Sequence, residues 1–204
     1  MKSLKDNILE KLIINQNIGR QKIVVNNKSE IKNIIEEIIE ETNNEDSINL
    51  NHIDVSNITD ITRLFRAYRF KHIDISKWNV SNIVGMQYVF PKTLETINLS
   101  NWDVSNVQST VGMFYNCKNL KEIGDISNWN IKSLKNTSDM FNGCSSIKTI
   151  DISNWDLSGL DSASRMFYNC RELESIGNIT KQQLIDSTKY GRDNIFLYCT
   201  KLKK

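Results

Sequence analysis

From residue 53 onward, apolar side chains return in two alternating patterns. The first is a run of the form L/I-x-x-I-x-I-S, as in Ile147, Ile150 and Ile152, where aliphatic and polar positions alternate and an Asn follows. Alternation at period two over a short β-branched run predicts a strand with one buried face. The second pattern begins at Ser56, Ser81, Ser105 and Ser158 and ends at a Met-Phe or equivalent pair. Serine at its start suits a helix N-cap, and the length leaves about two helical turns before the pair.

These patterns belong to a repeat. Trp78, Trp102, Trp129 and Trp155 are 24, 27 and 26 residues apart, and each is followed twelve residues later by Phe90, Phe114, Phe141 or Phe167. Ile53 and Phe65 keep the same spacing one unit earlier. Blocks MFYNC (113–117), MFNGC (140–144), MFYNC (166–170) and IFLYC (195–199) follow, with Leu120, Ile147, Leu173 and Leu202 three residues after each Cys. Phe to the next Trp varies as 13, 12, 15 and 14 residues, so length changes fall between the helix and the strand. One strand and one helix in ~25 residues predicts an α/β solenoid, a leucine-rich-repeat stack of about five to six units over residues 50–204. The unit containing IGNIT (176–180) has no Trp and a late Phe196, as terminal units often do.

Residues 1–49 read as an N-terminal helical cap or docking segment. Ser3 with Asp6 begins one helix, with Leu4, Ile8 and Leu12 on one face. KIVVN (22–26) suits a short strand. Ser29 opens a second helix whose stripe is Ile31, Ile34, Ile35, Ile38 and Ile39, opposite Glu36, Glu37, Glu40 and Glu41. As a cap, the Ile stripe covers the open end of the stack, which would otherwise be an aggregation edge.

Charge and composition narrow the function. Hydrophobic residues make up 39% of 204, enough for a core, and the net charge is only +2. Residues 1–50 hold seven Lys/Arg against nine Asp/Glu, and the remainder nineteen against fifteen. Neither part has the field of a dedicated nucleic-acid binder. No apolar run approaches the ~20 residues of a membrane span. The start carries no secretory pattern, and the first cysteine is Cys117, which predicts a cytoplasmic protein with reduced thiols.

Catalytic chemistry is not indicated. His52 and His72 fall at different places in neighbouring units, and there is no glycine-rich phosphate loop. Cys117, Cys144, Cys170 and Cys199 occupy one equivalent site per unit, which reads as a buried thiol ladder rather than a converging zinc site. No catalytic residue, cofactor or metal is expected.

The candidate partner-binding residues are polar positions between the buried aliphatics of each strand. One row is His72, Thr96, Glu122, Thr149 and Ser175; the next is Asp74, Asn98, Asp125, Asp151 and Asn178. Ser76, Ser100, Ser127, Ser153 and Thr180 follow near the strand ends. The Asp/Asn and Ser rows also suit turn closure by side-chain to backbone bonds. Otherwise the first two rows line a shallow polar face for another protein, edged by Lys71, Glu95, Lys121, Lys148 and Glu174.

The pattern W-D-V-S-N-V … M-F-x-x-C-x-x-L-x-x-I-D-I-S-N-W resembles the BspA-like leucine-rich repeats, also found as mycoplasma lipoprotein repeats, over about residues 50–202. Known members of that family are largely surface proteins that mediate adhesion and protein binding, so the resemblance implies a non-catalytic protein-binding scaffold. The opening MKSLKDNILEKLIIN also resembles N-termini of phage proteins from gut bacteria. The alternatives are therefore a structural part of a virion or other assembly docked through residues 1–49, and a bacterial surface adhesin exported without a recognisable signal.

Overall fold

The structure is a computed structural model and describes residues 22–203. β1 (Ile23–Val24) leads to α1 (Lys28–Thr42), β2 (Ser47–Asn49), β3 (Ile53–Asp54) and β4 (His72–Asp74). A single 3-10 turn, Leu157–Gly159, and α2 (Lys181–Ser187) come later. β1 pairs with β3 and β2 with β4, both parallel.

The expected leucine-rich-repeat solenoid of strand–helix units with a helical cap is not what forms. Among the described residues there are two α-helices and two two-stranded sheets, and neither helix lies between a repeat's serine and its Met-Phe pair. The reason is the period of the buried positions. Val80, Ile83, Met86 and Val89 are buried at every third residue, as are Val104, Val107, Thr110 and Met113, and again Ile131, Leu134, Thr137 and Met140. On an α-helix each three-residue step falls about 60° short of a full turn, so four such residues would spread over about 180°.

A chain that turns every third residue keeps them on one side instead. Accordingly the N–H of Ile83 donates to Val80 O at 2.9 Å, Val107 to Val104 at 2.9 Å, Met113 to Thr110 at 3.0 Å and Leu134 to Ile131 at 2.9 Å. The expected N-cap serines act as donors: Ser81 N–H reaches Asn79 Oδ1 at 3.2 Å, Ser105 reaches Asp103 Oδ1 at 3.0 Å, and Ser158 reaches Asp156 Oδ1 at 3.1 Å. The Asp or Asn side-chain oxygen thus closes a turn two residues on.

Successive repeats are joined by parallel single-residue bridges. One ladder runs Asp60, Gly85, Ser109, Asn136, Ser162; another joins His72, Thr96 and Glu122. Buried side chains reinforce the register by reaching back one repeat. Trp78 Nε1 donates to Leu50 O at 2.8 Å, Trp102 to Ile75 O at 3.3 Å, Trp129 to Leu99 O at 3.2 Å and Trp155 to Ile126 O at 2.8 Å. The four thiols are buried and unbridged, and donate to Pro91 O (3.2 Å), Phe114 O (3.2 Å), Phe141 O (3.0 Å) and Phe167 O (2.8 Å). Burial holds the Cys117 thiol up at about 12, against the opposing charge of Arg66, so it stays protonated and able to donate. Phe90, Phe114, Phe141, Phe167 and Phe196 stack in order, with centroids 4.9, 5.3, 5.5 and 5.5 Å apart. Each such ring pair adds about 0.5–1.5 kcal/mol beyond its burial.

At the first repeat, α1 starts one residue before the expected Ser29, and its N-cap lies two residues before it. Asn27 is the N-cap, its side chain accepting from Glu30 N–H at 3.1 Å, and Asn43 ends the helix in the left-handed region. Ile31, Ile34 and Ile35 are buried in the common core, with Ile38 and Ile39 packed against it. Lys28 Nζ donates to Thr62 O at 2.8 Å, and Tyr68 OH to Glu36 Oε1 at 2.8 Å, tying α1 to residues 62–68. The expected strand at 22–26 is β1, whereas the helix expected from Ser3 lies outside the described residues. Phe196 arrives late because α2, with a Thr180–Gln183 capping box, occupies the preceding connection.

Candidate functional site

The two polar rows are outside the core, flanking buried Ile73, Ile97, Ile123, Ile150 and Ile176. His72, Asp74, Thr96, Asn98 and Glu122 line one depression of about 440 Å³ with residues of β2. Thr149, Ser175 and Asn178 line a second of about 440 Å³, and Asp125 and Asp151 line neither. The bridge ladder breaks here as well: among the described residues none joins Glu122 to Thr149.

Turn bonds engage much of the second row. Asp74 Oδ1 accepts from Ser76 Oγ–H at 2.8 Å, Asn98 Oδ1 from Ser100 N–H at 3.1 Å, Asp125 Oδ1 from Ser127 N–H at 2.9 Å and Asp151 Oδ1 from Ser153 N–H at 2.9 Å. Hydrogen bonds from the Ser127 side chain and backbone hold the Asp125 carboxyl below the ordinary aspartate range. In the first row, His72 Nδ1 and Thr96 Oγ1 are 2.7 Å apart. At the edge, Lys121 Nζ pairs with Glu95 at 3.1 Å and Lys71 with Asp46 at 2.8 Å.

A different part of the repeat builds a larger groove of about 990 Å³. Its lining includes Arg63, Arg66, Tyr88, Tyr115, Asp139, Asn142, Arg165 and Tyr168. These side chains come from the positions two before and one after each ladder phenylalanine, so the buried Phe stack sets their spacing. Arg66 Nη1 donates to Tyr115 O at 2.9 Å, and its guanidinium lies 5.9 Å from the Tyr88 ring centre and 5.7 Å from that of Tyr115. Arg63 lies 5.8 Å from the Tyr88 ring, and the two tyrosine rings meet edge-on at 6.1 Å. Arg165 grips Asp139 through two bonds of 3.0 Å, and Asn142 Nδ2 donates to the same carboxylate at 2.7 Å. Among the described residues neither Arg63 nor Arg66 has a carboxylate partner.

The backbone under this groove is left-handed at every repeat. The residue two before each phenylalanine has φ of 57° at Arg63, 52° at Tyr88, 59° at Gly112, 58° at Asp139, 54° at Arg165 and 58° at Asn194. Gly, Asp and Asn enter that region readily; Arg and Tyr do so against a cost of about 1–2 kcal/mol each. The Tyr88 ring lies over Gly112, where an added Cβ would stand 2.2 Å from Tyr88 Cε1.

Two overlapping stretches, residues 32–123 and 92–194, match the family described as Mycoplasma protein of unknown function, DUF285. The chain belongs to that family. The match spans both the polar rows and the groove, and the family's description assigns no activity to either. No curated protein and no solved structure matches the chain. Among the described residues no three His, Cys, Asp or Glu side chains converge as metal ligands, and no helix is long and apolar enough to cross a membrane.

Sequence reasoning did not find the groove, because the Met-Phe blocks read there as core. The usable signal was the residue after each phenylalanine: Arg66, Tyr115 and Tyr168 in the run R, P, Y, N, Y from Arg66 to Tyr168. Those positions need not be apolar, and the half-buried Arg66, Tyr115 and Tyr168 on them mark a strip that is not wholly core.

Proposed function

We propose that the chain is a non-catalytic protein-binding module whose main contact surface is the Arg/Tyr groove. The observation that carries this reading is the convergence of Tyr88, Tyr115 and Tyr168 with Arg63, Arg66 and Arg165 around one groove. Tyr and Arg are the residue types, with Trp, that dominate binding energy at protein interfaces, while Ser and Thr are under-represented. The likeness of the Met-Phe-x-x-Cys blocks to BspA-like repeats, many of whose members bind proteins, supports the same reading. The polar rows are a second contact surface in this proposal, favoured by the depression that His72, Thr96 and Glu122 share with β2.

Affinity capture with three baits tests it: the native chain, a groove variant (Arg63→Asn with Tyr168→Ser) and a row variant (Thr96→Lys with Thr149→Lys). The expected result is a discrete protein held by the native chain and the row variant and lost from the groove variant. Loss from the row variant alone would move the contact to the polar rows. A protein retained equally by all three, or none captured, overturns the reading.

A further inference from the structure

We propose that the groove takes an extended, acidic peptide segment of its protein partner, with a carboxylate seated between Arg63 and Arg66; this rests on the protein-binding reading above. The charge is one-sided. Three guanidinium groups face a single carboxylate, and that carboxylate is already gripped by Arg165 with two bonds of 3.0 Å. Among the described residues no carboxylate compensates Arg63 or Arg66, and tyrosine faces and, for Arg66, the Tyr115 carbonyl hold them in place. An arginine whose planar fork is already oriented loses little freedom on taking a carboxylate.

Shape points the same way. From Arg63 to Arg165 the groove crosses five successive left-handed positions. At a spacing of about 4.8 Å per repeat this is about 19 Å, the length of about six extended residues. A nucleic-acid strand of that length fits worse, because its phosphates, one per nucleotide, would pass the Asp139 carboxylate. A peptide can place its acidic side chains at the Arg63 end and neutral ones beside Asp139. The left-handed backbone supports a selected arrangement: Gly, Asp or Asn serves at this position in three repeats, yet Arg63, Tyr88 and Arg165 occupy it in the other three. Strain kept at adjacent positions of one groove is the kind that accompanies a binding role.

The test is fluorescence anisotropy with labelled hexaglutamate, hexaglutamine and oligouridylate probes on the full chain, at about 50 mM and about 0.5 M salt. The expected result is hexaglutamate binding that weakens with salt and falls about tenfold in Arg63→Asn, with hexaglutamine unbound. Asn keeps the left-handed backbone, so this variant retains its fold, and thermal melting verifies that. Arg66→Lys should recover more binding than Arg66→Gln. Equal binding of hexaglutamine, no effect of Arg63→Asn, or tighter Arg63-dependent binding of oligouridylate overturns the inference. So does no hexaglutamate binding at low salt. If a protein is still captured in a groove-dependent way, that last result removes the acidic chemistry and leaves the protein-binding reading standing.

Discussion

The same repeat presents two kinds of surface. On the polar rows, short Asp, Asn and Ser side chains bond to the backbone two residues on or to the neighbouring repeat, so Asp74, Asn98, Asp125 and Asp151 act first as turn closers. On the groove, long Arg and Tyr side chains project from left-handed backbone and stack on one another, and Arg63 and Arg66 are left with charge to offer. The polar rows hold the chain together through the turn-closing bonds that their Asp, Asn and Ser residues suit. The groove takes backbone strain in exchange for side chains able to contact something else. Under the proposed function, a repeat divides maintenance and recognition between two of its corners.

The strongest way to separate the two is to add a methyl group to each. At Gly124, with φ of 78°, a Cβ would lie 2.4 Å from Asn98 Oδ1, 2.6 Å from Ser100 Oγ and 3.1 Å from the Leu99 backbone nitrogen. The Leu99 nitrogen is backbone, and the Asn98 and Ser100 oxygens can yield only by giving up the bonds they accept from Ser100 N–H and Asp125 N–H. Gly124→Ala should cost about 2–4 kcal/mol, combining the left-handed penalty with overpacking, read from urea unfolding. At Gly112 the obstacle is the Tyr88 ring, which can rotate out. Gly112→Ala should therefore cost only about 1–2 kcal/mol, while displacing Tyr88 and weakening peptide binding. Equal stability losses at both sites would erase the distinction.

How much of this was readable beforehand follows from the same residues. The repeat length, the core ladders and the Ile stripe of α1 are functions of which positions are apolar, and they are visible in the chain. The path between Ser105 and Phe114 was misread because apolar residues three apart fit a helix for one turn. A run of four is needed to separate a period of three from 3.6; Val80, Ile83, Met86 and Val89 carry it unbroken, whereas in Val104, Val107, Thr110 and Met113 the buried Thr110 interrupts the apolar signal. The groove was hidden for a different reason. Arg63, Tyr88 and Arg165 share a backbone conformation that their residue types disfavour, so nothing at those positions announces it, and the only local signal is the Arg66, Tyr115 and Tyr168 row after the phenylalanines.

A smaller effect of opposite sign comes from Arg63→Asn. Relief of the left-handed strain is worth about 1–2 kcal/mol, and the lost stacking on Tyr88 about 0.5–1 kcal/mol at an exposed site. The variant should be more stable by about 0.5 kcal/mol even as it binds acidic peptide less well. A mutation that strengthens the fold and weakens the groove is hard to explain if Arg63 serves only the fold.

The mildest probe is acid, which acts on turn corners and not on guanidinium groups. Asp103, Asp125 and Asp156 are held below the ordinary aspartate value of 3.8 by bonds from the side chains and backbones of Ser105, Ser127 and Ser158. A carboxyl with a depressed folded pKa binds fewer protons folded than unfolded just below pH 4, so its stabilisation is complete above the unfolded value. It fades as pH falls through the folded value. Lowering pH from 7 to 5 should leave the urea midpoint unchanged as far as these groups decide it, and lowering it from 4 to 2 should shift the midpoint down. Because all three carboxyls are largely exposed, the shift is small for each and is best seen by hydrogen exchange. The amides of Ser105, Ser127 and Ser158 should lose protection relative to that of Tyr88, which donates to Val111 O at 2.9 Å with no carboxylate involved. Uniform loss across both sets would mean that the carboxylates are incidental to the turns.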